Sequence, residues 1–167
     1  PQIYPETSGY YRLPQSTTIL GALKLSGKTK NGWSIGLVEA LTDKEQASIY
    51  LPESGTYEKA VAEPLANYLA FRLAKDYRQG ATVVGVMFTG VNRQLDNETD
   101  NLLHRSAYSG GFDFYHSWKD RQYYVSLKAV GSGVHGTPEA IRLTQESSVH
   151  YFQRPDADYL TYDPDRA

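Results

Sequence analysis

The stretch RSAYSGGFDFYHSWKDRQYYVSLKAVGS, residues 105–132, decides the fold. Successive side chains of an extended chain point to opposite faces, so its first half sets Tyr108, Phe112, Phe114 and Trp118 against Arg105, Ser109, Asp113 and Ser117. Its second half alternates in the same way, with Tyr123, Val125, Leu127 and Ala129 opposed to Tyr124, Ser126, Lys128 and Ser132. Only Lys119-Asp120-Arg121 separates the halves, which is the length of a hairpin turn. A period of two on both sides of a tight turn is the pattern of an antiparallel sheet.

Four further segments alternate in the same way. Thr17 to Ser26 places Ile19, Leu23 and Leu25 on one face and Thr18, Lys24 and Ser26 on the other, and Trp33 to Thr42 follows through Lys30-Asn31-Gly32. Asn-Gly between two alternating runs is the strongest short hairpin signal. Leu65 to Tyr77 carries Leu65, Leu69, Phe71, Leu73 and Tyr77 at odd positions and Tyr68, Arg72 and Asp76 at even ones. Val61, Leu65, Leu69, Leu73 and Tyr77 also recur every four residues, as on a helix. Pro64 falls inside that stripe, and Arg78-Gln79-Gly80 leads straight into the Val-rich run Thr82 to Asn92, so strand is the better reading. A helix there would remove Arg72 and Asp76 from the polar face and make the architecture α+β.

The expected fold is therefore all-β: an antiparallel up-and-down meander of about six strands over residues 17–132. An irregular lead-in spans 1–16, and a loop with one short helix near 138–149 spans 133–167. Thr137 as cap, Pro138 at the first helical position and Glu139 in the first turn mark the helix start. Tight turns near 28–32, 78–81 and 119–121 alternate with long connections at 43–64, 93–104 and from 133 onward. Short and long connections alternate in this way in outer-membrane barrels, whose strands are apolar outward and polar inward, although a soluble sandwich also alternates. Trp33, Tyr77 and Trp118 near strand ends suit a membrane interface, while Arg72, Asp76, Arg78, Arg105 and Asp113 suit a watery lumen.

Composition narrows the function classes. In 167 residues, 17 Lys and Arg against 19 Asp and Glu give a net charge of -2, which argues against a dedicated nucleic-acid binder. The absence of Cys removes disulfides, thiolate metal sites and cysteine nucleophiles. A mean hydropathy of -0.52 and no long apolar run exclude a spanning helix, but not barrel strands, which need only about 9–11 alternating residues. Opening at Pro1 without an initiator Met or a leader pattern, the chain reads as a processed or excised piece.

Several motifs in order, Gly27-Lys28-Thr29 with Gly32-Trp33-Ser34, Asn92-Arg93, His104-Arg105-Ser106-Ala107-Tyr108 and Gln153-Arg154-Pro155-Asp156, carry a family likeness. Over roughly residues 17–165 the chain resembles the bacterial outer-membrane family known as domain of unknown function 5916. The resemblance implies a long protein in which a carbohydrate-binding-like domain of the family-nine type precedes a barrel in the outer membrane. This chain would be a slice of that barrel. Six strands are fewer than the 8 with which single-chain barrels begin. The implied partners are thus outer-membrane lipid and further strands, from the rest of the protein or another chain.

Chemistry-bearing motifs are few. Gly131-Ser132-Gly133-Val134-His135-Gly136 has the form of a dinucleotide fingerprint, but the strand before it carries Ser126 and Lys128 and the chain upstream is antiparallel. A glycine-rich loop leaving a strand is the plainer reading. His104, His116, His135 and His150 lack metal spacing, and neither a catalytic triad nor a nucleophile elbow is present. The expectation is a non-enzymatic segment with no metal site. Among cofactors only calcium matches the oxygen ligands offered by Asp96-Asn97-Glu98-Thr99-Asp100 and by Asp156, Asp158, Asp163 and Asp165. Candidate binding residues are the lumen-facing Arg72, Asp76, Arg105 and Asp113, for a carbohydrate or small solute, and a loop pair, Arg154 and Asp156. The rival is a soluble β-sandwich carbohydrate-binding module stacking sugars on Tyr10, Tyr11, Tyr57 and Tyr159. The two differ over Phe112, Phe114 and Trp118, which a sandwich covers with protein and a barrel presents to lipid.

Overall fold

The computed structural model describes residues 10–97, 99–152, 155, 156, 158, 159, 161–163, 165 and 166. Among these residues nine strands and one helix follow in chain order: β1 (Tyr10–Arg12), β2 (Ile19–Lys28), β3 (Trp33–Thr42), β4 (Glu45–Leu51), β5 (Thr56–Glu63), β6 (Leu65–Tyr77), β7 (Thr82–Gln94), β8 (Ser106–Trp118), β9 (Tyr123–His135) and α1 (Pro138–Glu146). Six of them form one antiparallel sheet in the order β2-β3-β6-β7-β8-β9. These are the six alternating segments of the sequence, and each pairs with the next. Leu65–Tyr77 is strand throughout, in register with Trp33–Thr42 on one side and Thr82–Gln94 on the other.

The connection 43–64 is where the structure adds most. It holds the β4–β5 hairpin, which with β1 makes a second, three-stranded sheet in the order β1-β4-β5. The lead-in 1–16 thus contains a short strand. The last strand of the large sheet also runs on to His135, so Gly131 and Gly133 are extended residues opposite Gly110 and Tyr108 and form no phosphate loop.

Three tight turns gather at one end of the large sheet, the lower end. At Gly32 the φ is +82°, and a Cβ would come within 2.4 Å of the Asp76 carbonyl oxygen, so only glycine fits there. The Asp76 N–H donates to the Gly32 carbonyl at 2.8 Å, its Oδ1 accepts from the Gly80 N–H at 2.6 Å, and Arg121 Nη2 donates to the Gln79 carbonyl at 2.8 Å. Each turn is thereby tied to its neighbour. Lys119, Asp120 and Arg121 all take left-handed φ values of 49–66° without being glycine.

The opposite, upper end carries the β4–β5 hairpin, loop 95–105 and α1. Thr137 caps the helix, its Oγ1 accepting from the Ala140 N–H at 3.3 Å and donating to the Asp100 carbonyl at 3.0 Å. Among the described residues the buried apolar ones, Ala47, Ile49, Val61, Ala62, Ala66, Ala140 and Ile141, all belong to this end, and the largest fully buried side chain is Thr99. Among the described residues the six-stranded sheet has no comparable core on either face. Both its edge strands, β2 and β9, are exposed along their whole length.

Candidate functional site

Strand register assigns every residue of the large sheet to a face. One face is a continuous apolar band. Directly paired rows run Leu25–Leu37–Phe71–Phe88 and Ile35–Leu73–Val86–Phe112–Ala129 across successive strands. At its lower margin lie Trp33, Lys75, Tyr77, Thr82, His116, Trp118 and Tyr123. There Lys75 Nζ sits 5.1 Å from the Trp33 ring centre and 5.3 Å from that of Tyr77, and His116, Trp118 and Tyr123 stack in sequence. At the upper margin Asn67 donates to Glu39 at 3.1 Å, the Tyr108 hydroxyl donates to Asn92, and Ser106 faces Asn92. From Thr82 to Asn92, or Ser106 to His116, the band spans ten residue-to-residue steps along each strand. At about 3.3 Å per residue and a tilt of about 40°, that is about 25 Å of height, the thickness of the apolar girdle on a transmembrane barrel.

Nothing among the described residues covers this band. Phe112 is 43% exposed, Trp118 44% and Leu127 58%. Surface patches of this extent are rare on soluble monomers.

The other face holds the candidate site. Val38 of β3 and Ser132 of β9 line the same groove of about 480 Å³, so the sheet curves toward this side. A second groove of about 360 Å³ below it is lined by Arg72, Met87, Thr89, Ser109, Asp113 and Lys128. Arg72 Nη1 and Asp113 Oδ1 are 2.8 Å apart although β7 runs between their strands. Gly85 makes this possible, because a Cβ there would meet both Asp113 oxygens at 2.7 Å and Arg72 Nη2 at 2.9 Å. A larger residue at position 85 would fill the space the ion pair occupies. Lys128 stands directly opposite Asp113 in the β8–β9 register, and the Thr89 and Ser109 hydroxyls share a 2.8 Å hydrogen bond. The groove thus offers two cations, one carboxylate and two hydroxyls to whatever enters it.

Of the residues expected to face a lumen, Arg72 and Asp113 meet on this face. Asp76 shares the face but is engaged in the lower turns. Arg105 lies just before β8 and pairs with Asp100 of its own loop at 2.9 Å. Arg154 lies outside the described residues, and Asp156 is in the segment after α1. Alternation alone does not single out Lys128 or Gly85. For Lys128 the signal is the hairpin itself, since residues equidistant from the 119–122 turn, Asp113 and Lys128 among them, must pair, whereas Gly85 comes to Asp113 only through the β7–β8 register.

The upper loops have their own electrostatics. Hydrogen bonds from Lys44, at 2.7 Å, and from Thr99 hold the Asp96 carboxyl at about 2. Burial, aided by Arg93, keeps His104 below the usual histidine range, and its Nε2 is 2.8 Å from Thr144 Oγ1 on α1. The acids suited to calcium are occupied in part: Asp96 and Asp100 by these partners, and the Asp163 backbone by Gln145 at 2.8 and 2.9 Å. Among the described residues no three His, Cys, Asp or Glu side chains gather as a metal site, and no helix is long and apolar enough to cross a membrane.

A family model for a domain of unknown function, DUF5916, matches residues 3–151. The chain belongs to that family. The match takes in all of β1 to α1, so the small sheet and the helix are as much part of the DUF5916 domain as the six-stranded sheet. No curated protein and no solved structure matches the chain.

Proposed function

We propose that this DUF5916 chain is a segment of an outer-membrane β-barrel of Gram-negative type, non-enzymatic, whose apolar band meets lipid and whose polar groove lines a lumen that binds or passes a solute. The observation that carries the reading is the uncovered band, about 25 Å tall and edged by an aromatic and lysine row below and an amide, carboxylate and hydroxyl row above. In water those side chains stay solvated at a cost of about 25 cal/mol per Å² relative to an apolar environment. In lipid the same exposure is favourable. The groove face supports the second half, since mid-strand Arg72, Asp113 and Lys128 are tolerable at membrane depth only where water reaches them.

The two tryptophans test it directly, because Trp33 and Trp118 both lie in the lower aromatic row. In vesicles their emission should be quenched more by lipids labelled near the headgroup than by lipids labelled at the chain ends. A detergent-free monomer with a cooperative transition, whose tryptophans ignore both quenchers, overturns the proposal.

A further inference from the structure

The small sheet carries a second surface that the barrel reading does not use. Register pairs Tyr10 with Tyr50 and Tyr50 with Tyr57, so three tyrosines from three strands form one row across β1, β4 and β5. The next row on the same face is Arg12, Ser48 and Lys59. Tyr10 is 76% and Tyr57 77% exposed, and the Tyr50 and Tyr57 ring centres are 5.1 Å apart. The opposite face holds Ala47 and Ile49, both buried. The packed side of this sheet thus turns toward the protein and the tyrosine side toward solvent. Of the tyrosines that the sequence offers for sugar stacking, Tyr10 and Tyr57 meet in this row, while Tyr11 is on the other face opposite Ile49 and Tyr159 lies in the segment after α1.

We propose that this face binds an acidic sugar chain. Adjacent strands are about 4.8 Å apart, so the row is a strip about 10 Å long of aromatic faces and edges with hydroxyl tips, suited to the C–H faces and hydroxyls of a short saccharide. Arg12 and Lys59 stand about 6–7 Å along their strands from the tyrosines, one on each flank, where they pair with carboxylates carried by the sugar rings. Two cations commit the site to an anionic glycan. They are too few for nucleic acid, whose binding rests on many phosphate contacts, and the chain's net charge of -2 gives no steering toward a polyanion. The site stands apart from the groove and does not depend on lipid, so it can succeed or fail independently of the barrel.

The test is titration of the micelle-solubilised protein with a galacturonic-acid oligomer, a neutral glucose oligomer and a single-stranded oligonucleotide. The uronate should bind best and weaken several-fold as salt rises. Tyr10→Ala and Tyr57→Ala should each reduce affinity on the order of tenfold, and Lys59→Gln should flatten the salt dependence. Tyr57→Phe keeps the ring and should retain most of the binding. Glu58→Gln, on the other face, should change nothing and certifies that small changes in β5 leave the fold intact. The proposal is overturned if the neutral oligomer or the oligonucleotide binds as well as the uronate, if no oligomer binds, or if the tyrosine variants bind as the parent does.

Discussion

Replacing Phe112 by arginine puts a charge at the centre of the apolar band, and the depth of that position sets the size of the effect. Phe112 is six residues from either end of β8, between Val86 on β7 and Ala129 on β9. At about 3.3 Å per residue and a tilt of about 40°, it lies about 15 Å from the Ser106 margin and about 10 Å from the His116 margin, near the midplane of a lipid-facing girdle. Arginine at that depth costs about 2–4 kcal/mol, against about 0–1 near an interface. Tyr77→Arg, in the lower row, is the matching shallow variant and keeps both tryptophans as reporters. Urea unfolding in lipid vesicles, followed by tryptophan emission, should therefore show Phe112→Arg lowering the folding constant by about 30- to 1000-fold. Tyr77→Arg should lower it by less than about fivefold. Ser109→Arg, well inside β8 but on the groove face, should be tolerated because its charge reaches water. Were the band a half-solvated protein surface, depth would carry no penalty, and equal effects at positions 112 and 77 would rule out lipid against this face.

Other predictions follow from particular contacts. Gly85→Val should displace the Arg72–Asp113 pair and destabilise by about 1–2 kcal/mol, and the cost should shrink in an Asp113→Ala background, a coupling that a double-mutant cycle of thermal midpoints measures. Gly32→Ala combines a φ of +82° with a Cβ 2.4 Å from a backbone oxygen and should cost about 2 kcal/mol or more. Gly21→Ala, with nothing within 4 Å, should be neutral or slightly stabilising in the same denaturation assay. His104 resists protonation in the folded state, so its contribution is complete above its unfolded value of 6.5 and declines as pH falls below it. Amide protection factors across residues 138–146, with intrinsic exchange at each pH divided out, should fall as pH drops below 6.5 and become pH-insensitive in His104→Gln. Asp96, held at about 2, works lower down: its contribution is complete above 3.8 and is lost as pH falls toward 2, and Lys44→Gln should move that loss to higher pH.

Much of the large sheet is legible in the sequence because its residues obey one rule at a time. Between Trp33 and Thr42 or Leu65 and Tyr77 every second side chain meets the same face, and the turns 78–81 and 119–122 are too short to permit any pairing but the nearest. The four-residue stripe through Leu65, Leu69 and Leu73 is ambiguous because four residues are also two strand periods, and Pro64 rightly counts against a helix. The β4–β5 hairpin escapes a reading by alternation, although Ala47, Ile49 and Leu51 alternate with Gln46, Ser48 and Tyr50 ahead of Pro52-Glu53-Ser54-Gly55. Its inward residues include a small alanine, so its apolar contrast is weak. The groove is half visible: Arg72 and Asp113 alternate onto the right face, but that they meet depends on Gly85, an absence of side chain that no polar pattern advertises. Arg105 is hard to place for the opposite reason, since its partner Asp100 is a loop residue whose position only the fold supplies.

The two exposed edges constrain whatever completes the sheet. β2 runs from the loop end toward the turn end, and β9 runs back from the turn end to the loop end. A closing set of antiparallel strands must present one direction to β9 and the other to β2, and an alternating run can do both only if its strand count is even. Zero also satisfies this, when β9 meets a β2 directly. Added to the six strands here, every permitted closure has even parity, so an odd-stranded barrel built on this sheet requires a parallel pair somewhere along its seam.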